Sequence, residues 1–224
     1  MAEPLNVPKI FVINLKYRTD RLFSVVKELY RFDFLDKAEI VEGVIVDTPN
    51  SGGAGIALAH KKCIELAKER GYETVIILQD DCKFLVTRDE FVSQINSFLK
   101  AEKHNIWSGL WFGSFYDAIF ENPDKLYGKP FSISHDTGVL HKKEYYDLFI
   151  QFYDLCAAKF IETGDGRYII DQFITNISKD NEEERHLIPL SDGMYVTRTK
   201  LCGQADTVSD RTNEFMCGGH ELEL

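Results

Sequence analysis

The sequence predicts an α/β fold, and three features lead there. Glu73-Thr74-Val75-Ile76-Ile77-Leu78-Gln79-Asp80-Asp81-Cys82 holds an unbroken apolar run rich in β-branched residues, the pattern of a strand buried on both faces as in a parallel sheet. Lys9-Ile10-Phe11-Val12-Ile13-Asn14-Leu15 is a second such strand, followed by a helical pattern through about Tyr30, which is the opening of a βαβ unit. The third feature is the adjacent pair Asp80-Asp81 where the central strand stops. Ligands of open α/β sheets bind at the carboxyl ends of the strands, so these acids are expected to face a crevice.

Taken in order, the first strand runs into Tyr17-Arg18-Thr19-Asp20-Arg21, where Thr19 or Asp20 is the expected N-cap. Glu39 to Asp47 alternates around Gly43 as a short, kinked strand. Thr48 to Gly53 has turn composition. Gly55 to Arg70 follows as a helix with Ile56, Ala59, Cys63, Leu66 and Ala67 on one stripe and Gly71 after its basic end. After the two acids, a helix is expected near Arg88–Lys103 and a strand at Leu110-Trp111-Phe112, closed by Gly113. Ser132 to Leu140 reads as extended and Lys143 to Lys159 as helical. A helix from Tyr168 to about Ser178 carries Asp171 in its first turn. His186-Leu187-Ile188-Pro189-Leu190 reads as a short strand, with little pattern from Ser191 onward. No repeat or domain boundary interrupts the chain, so residues 1–224 are expected to form one domain.

The 224 residues carry 26 basic and 36 acidic side chains, a formal charge of −10. That balance argues against a general nucleic-acid binder, which needs a basic footprint. A hydrophobic fraction of 44% and an aromatic fraction of 12% supply ample core. The five cysteines, at 63, 82, 156, 202 and 217, form no C-x-x-C pair. Cys63 and Cys156 lie in helical patterns as small core residues, and reduced thiols are expected. With no apolar leader and no run approaching the ~20 residues of a spanning helix, the expected location is cytoplasmic.

Several chemistries are excluded by their missing motifs. There is no G-x-G-x-x-G after a strand and no G-x-x-x-x-G-K-[ST]. Gly52-Gly53-Ala54-Gly55 is glycine-rich but lacks the lysine, and neither G-x-S-x-G nor H-E-x-x-H occurs. Adjacent carboxylates raise each other's pKa unless a cation neutralises them. A hard divalent ion that also grips a substrate phosphate suits Asp80 and Asp81, while an acidic turn is the plainer reading. Arg18 and Arg21 suit phosphate or a base, or are solvated charges on a helix start. His60 falls near the apolar stripe, where a core role is common. The surviving combination suits metal-assisted transfer of a phosphate-linked group.

The chain resembles glycosyltransferase family 25, the lipooligosaccharide and collagen sugar transferases. Val12-Ile13-Asn14-Leu15 with Arg18 and Arg21 looks like that family's opening. Gly55-Ile56-Ala57-Leu58-Ala59-His60 is similar to its glycine-cysteine-alanine-leucine-serine-histidine segment. Ile77-Leu78-Gln79-Asp80-Asp81 resembles its apolar-glutamate-aspartate-aspartate strand end, and Leu110-Trp111-Phe112-Gly113 its aromatic-leucine-glycine strand. Val208-Ser209-Asp210 is similar to its closing serine-aspartate. Gln79, Ala59 and Ile56 depart from the family's glutamate, serine and cysteine.

The resemblance implies a GT-A fold, with a Rossmann-like nucleotide-binding half, a mixed central sheet and helices on both faces. It implies a nucleotide-sugar donor, with a UDP-sugar favoured, contacted by Asn14, Leu15, Arg18, Arg21, His60, Gln79 and Asp80. It further implies Mn²⁺ or Mg²⁺ on Asp80 and Asp81, with a C-terminal histidine as added ligand. His186 is taken for that role, and His220 is the other choice. Asp171 is the expected base of an inverting transfer to a hydroxyl on a glycan or glycoconjugate, unless it serves only the helix N-terminus. Trp107, Trp111, Phe112, Phe115 and Tyr116 would stack on an acceptor sugar or fill the core. A non-catalytic module binding sugar nucleotides or glycans on the same fold is the alternative.

Overall fold

A computed structural model describes residues 7–48, 52–103, 105–113, 118–119, 125–177, 182–205, 207–208 and 215–216. The first half alternates strands and helices: β1 (Lys9–Asn14), α1 (Thr19–Arg31), β2 (Ala38–Glu42), α2 (Gly52–Glu69), β3 (Thr74–Gln79), β4 (Cys82–Phe84) and α3 (Arg88–Ala101). The second half holds β5 (Gly109–Trp111), β6 (Ala118–Ile119), β7 (Tyr127–Pro130), β8 (Gly138–Lys142), α4 (Tyr146–Thr163), α5 (Ile170–Asn176), α6 (Ile188–Asp192) and β9 (Met194–Thr197). Three short strands close the described chain: β10 (Cys202–Gln204), β11 (Thr207–Val208) and β12 (Phe215–Met216).

Eight strands form one sheet in the order β2-β1-β3-β8-β5-β9-β7-β6. β1 pairs parallel with β2 and β3, whereas β8 is antiparallel to both β3 and β5. The sheet is therefore mixed: a Rossmann-like parallel half joined to a mixed half. Because side chains alternate along a strand, β1 and β3 feed two cores. Phe11, Ile13, Val75 and Ile77 point to one face, which also gathers buried residues of α2, α4 and α5. Ile10, Val12, Ile76 and Leu78 point to the other, with residues of α1 and α3. Burial on both faces explains why these strands read as continuous apolar runs.

Two glycines end helices in the left-handed region, Gly71 after α2 (φ +69°) and Gly164 after α4 (φ +67°). A third meets a steric demand. A Cβ on Gly113 would lie 2.1 Å from the Cys202 carbonyl oxygen, so only glycine lets β10 cross the end of β5. Cys63, Cys82, Cys156 and Cys202 are buried free thiols.

Several expectations need correction. The segment 186–190 is helical rather than a strand: residues 185–187 form a 3-10 turn and Pro189 opens α6. Proline has no donor for a ladder but suits a helix start. The strand lies beyond it, at β9, parallel to β5. Neither Thr19 nor Asp20 caps α1; Arg18 stands at the cap position without a side-chain capping bond, and Asp20 instead pairs with its guanidinium at 2.9 Å. Of the expected extended segment 132–140, residues 138–140 belong to β8, which runs on to Lys142. Trp107, Trp111 and Phe112 are buried core residues. Ser178, Ser209, Asp210, Phe115, Tyr116, Cys217 and His220 lie outside the described residues. Among the described residues no helix is long and apolar enough to cross a membrane.

Candidate active site

The topology gathers one end of the sheet. β1 and β3 are parallel and stop at Asn14 and Gln79, so Asn14 and Asp80 become neighbours. β8 runs the other way, with Leu78 opposite Gly138, so the residues just before it reach the same end. Gln79 N–H donates to the Thr137 carbonyl at 2.9 Å. A cleft of about 620 Å³ opens there. Its floor and walls include Leu15 and Arg21, Gly43 after β2, Gly52, Gly53 and Gly55 at the start of α2, and Gln79-Asp80-Asp81. Ser134-His135-Asp136, Asp171 and Gln172, and Gln204 and Ala205 complete it.

The two strand-end acids have different surroundings. Asp80 Oδ2 accepts from Asn14 Nδ2 at 2.8 Å, and its Oδ1 accepts from Arg21 Nη1 at 3.0 Å. Burial nevertheless raises its pKa against the pull of Arg21 and Asn14. Asp81 Oδ2 lies 3.8 Å from the same guanidinium, while its Oδ1 is buried without a hydrogen-bond partner. Burial pushes the Asp81 carboxyl up to about 6, with Arg21 opposing and Asp80 adding to the rise. The Asp81 carbonyl accepts from Ala205 N–H at 2.6 Å, which ties the acid to the ribbon formed by β4 and β10.

A second acidic pair comes from later in the chain. Asp136 is buried, and its Oδ2 stands 3.3 Å from His60 Nε2. Burial first, and then the charge of Asp171, raises its pKa well above the usual carboxylate range, while a hydrogen bond from the Gln79 side chain opposes the rise. Both oxygens of Asp171 accept backbone N–H groups, from His135 at 3.0 Å and from Gln172 at 2.8 Å. His135 is thereby held at φ +64°, an uncommon conformation for a non-glycine residue. His60, wholly buried in α2, has its pKa lowered by burial to about 3 and is neutral.

Of the residues singled out in the sequence, Leu15, Arg21, Gln79, Asp80, Asp81 and Asp171 line this cleft. Asn14 and His60 stand one layer behind, holding Asp80 and facing Asp136. Arg18 is buried at the start of α1, with Asp20 on its guanidinium. His186 is exposed on the 3-10 turn before α6 and is not among the lining residues. Ser134, His135, Asp136 and Gln204 also line the cleft, and none of them belongs to a motif singled out in the sequence. The signal for the first three was a polar Ser134-His135-Asp136-Thr137 run directly before an apolar strand.

Among the described residues no three His, Cys, Asp or Glu side chains converge as a ready-made metal cage. Mg²⁺-type sites seldom need one: such ions keep several waters and bind through one or two carboxylates plus substrate phosphates. The orphaned Asp81 Oδ1 fits that requirement. Asp80 accepts one hydrogen bond on each oxygen, from Asn14 and Arg21, which fixes its orientation beside Asp81.

Fold and site together define an α/β protein with an acid-lined crevice at the carboxyl ends of parallel strands. No protein-family profile matches the sequence, and no curated protein matches it. Among solved structures, the chain is similar to a glycosyltransferase involved in the glycosylation of the major capsid of PBCV-1, at 11% identity and a TM-score of 0.48, over 85% of this chain and 93% of that one. It is also similar to a mannose-1-phosphate geranyltransferase from Thermus thermophilus, at 8% identity and a TM-score of 0.43, over 85% and 73% of the two chains. These likenesses concern the backbone; the chemistry of the site rests on its own residues.

Proposed function

We propose that the cleft binds a nucleotide-sugar donor and that the protein is an inverting glycosyltransferase acting on a hydroxyl of a glycan or glycoconjugate. The observation that carries this reading is Asp81: a buried carboxylate with an unpartnered oxygen, beside Arg21, lining a crevice sized for a small-molecule ligand. The resemblance of the five sequence motifs to family 25 transferases supports a UDP-sugar as donor.

Asp81 would hold Mn²⁺ or Mg²⁺, with Asp80 fixed behind it by Asn14 and Arg21. When bound, the cation supplies Lewis acidity that offsets charge on the departing diphosphate. Leu15, Gly43 and the glycines of α2 give the donor an open, uncharged wall. Arg21 offsets negative charge at the strand ends. During transfer the bond from the sugar to the diphosphate breaks as the acceptor oxygen attacks from the opposite face, and the acceptor hydroxyl gives its proton to a carboxylate. Asp171 and Asp136 are the acids available for that step.

The test is donor turnover with water as acceptor. Incubation with UDP-glucose, UDP-galactose, UDP-N-acetylglucosamine and GDP-mannose in Mn²⁺ should release nucleotide from at least one donor. No release from any of them, together with no donor-dependent rise in melting temperature, would sink the proposal.

A further inference from the structure

Asp136, His60 and Gln79 form a group that the sequence did not bring together. Asp136 lines the cleft, yet its carboxyl is buried, and its Oδ2 faces His60 Nε2 at 3.3 Å. Neither of those two atoms has a hydrogen-bond partner. Gln79 lines the same cleft and donates its backbone N–H to the carbonyl of Thr137, the residue after Asp136, at 2.9 Å. Asp171 differs: its two oxygens already accept backbone N–H groups and hold the His135 turn in place.

We propose, building on the transferase reading, that Asp136 is the base that takes the acceptor proton, with His60 and Gln79 as its positioning residues and Asp171 as the brace of its loop. The acceptor O–H bond breaks, an O–H bond forms on Asp136, the acceptor oxygen bonds the sugar carbon, and the bond from that carbon to the diphosphate breaks with its electron pair. His60 is neutral, so it has a single ring N–H; placed on Nε2, that N–H donates to Asp136 Oδ2 and keeps the other oxygen turned to the cleft. The contact is not aligned as a hydrogen bond without ligand, and catalytic contacts commonly tighten only when substrate binds. Gln79 has the complementary role. An amide N–H can donate to Asp136, whereas a glutamate there would set another anion beside it.

The experiment uses the full chain and whichever donor the wild-type protein hydrolyses. Asp136→Asn should slow nucleotide release by about a hundredfold or more, the scale of a lost general base, with UDP affinity in Mn²⁺ kept within about threefold. Gln79→Glu and His60→Leu should each lose about tenfold, the scale seen when an outer partner of a functional group is removed. His60→Gln, whose amide can replace the Nε2 donor, should recover most of that loss. Asp171→Asn should lose less than Asp136→Asn. Parent-like turnover in Asp136→Asn, or a larger loss in Asp171→Asn, overturns the assignment. Absence of turnover in the wild type defeats the transferase reading itself. The contact is then still tested by ¹⁵N NMR of labelled histidine: Asp136→Asn must shift the His60 ring nitrogens, and an unmoved spectrum overturns the dyad.

Discussion

Asn14 holds Asp80 across the sheet: the Asn14 Nδ2 donates to Asp80 Oδ2 at 2.8 Å, joining the ends of β1 and β3. The same amide also donates to the Arg18 carbonyl at 3.1 Å, which fixes the turn into α1 and so aims Arg21 at the acids. Asn14→Leu should therefore cost about 1–3 kcal/mol, the penalty for leaving a buried polar group unpaired, and weaken UDP binding. Urea unfolding and UDP titration in Mn²⁺ check the two effects. A variant as stable as the parent would show that Asp80 does not need this partner.

Asp81 is placed for a ligand at the expense of the free protein. Its carboxyl titrates near 6 when folded, against an ordinary value of 3.8. The folded state thus binds more protons between those values, and stability falls as pH rises through that window. Above it the buried charge costs on the order of 3 kcal/mol. Asp81→Asn should accordingly melt higher than the parent at pH 8 and lose that advantage near pH 4. A lower melting temperature at pH 8 would show that Arg21 already compensates the charge.

Much of this arrangement was legible in the sequence, and the omissions have physical causes. β1 and β3 announced themselves because burial on both faces leaves no polar residue in the run. The strand-end position of Asp80 and Asp81 followed directly. The different surroundings of the two acids did not, because they depend on Asn14 and Arg21, which lie 66 and 59 residues from Asp80 in the chain and meet it only through the parallel pairing. Asp136 was not legible because the residues before β8 lack periodicity; it reaches the cleft through the antiparallel pairing of β8 with β3. The segment at 186–190 misled because apolar residues over so short a span suit a strand or a helix equally, and Pro189 decided the matter.

Buried His60 sets an acid limit. Its pKa is about 3 when folded, against 6.5 ordinarily, so below pH 6.5 the unfolded chain takes up a proton that the folded one does not. Stability is lost as pH falls from 6.5 toward 3. At pH 5 this loss is about 2 kcal/mol. His60→Gln lacks the titrating group, so its stability relative to the parent should improve steadily from pH 7 to pH 4. A difference independent of pH would mean that His60 is not buried as described.

Gly113 tests the ribbon that carries Gln204 and Ala205. A Cβ there would stand 2.1 Å from the Cys202 carbonyl oxygen, a backbone atom that cannot rotate away. Gly113→Ala should destabilise the protein by about 1–3 kcal/mol, as overpacking does. Gly166→Ala, whose Cβ would meet nothing closer than 3.9 Å, is the control and should melt close to the parent. Equal melting temperatures would show that β10 does not cross β5 at this distance.

The most direct test of the site is calorimetric titration of UDP, with and without Mn²⁺, into the wild-type protein and Asp81→Asn. The unpartnered Asp81 oxygen predicts that the wild type binds UDP with a strong Mn²⁺ dependence. Asp81→Asn, although folded and more stable at pH 8, should lose that dependence. If both proteins bind UDP with the same response to Mn²⁺, or the wild type binds none, Asp81 is not the acid on which the donor site is built.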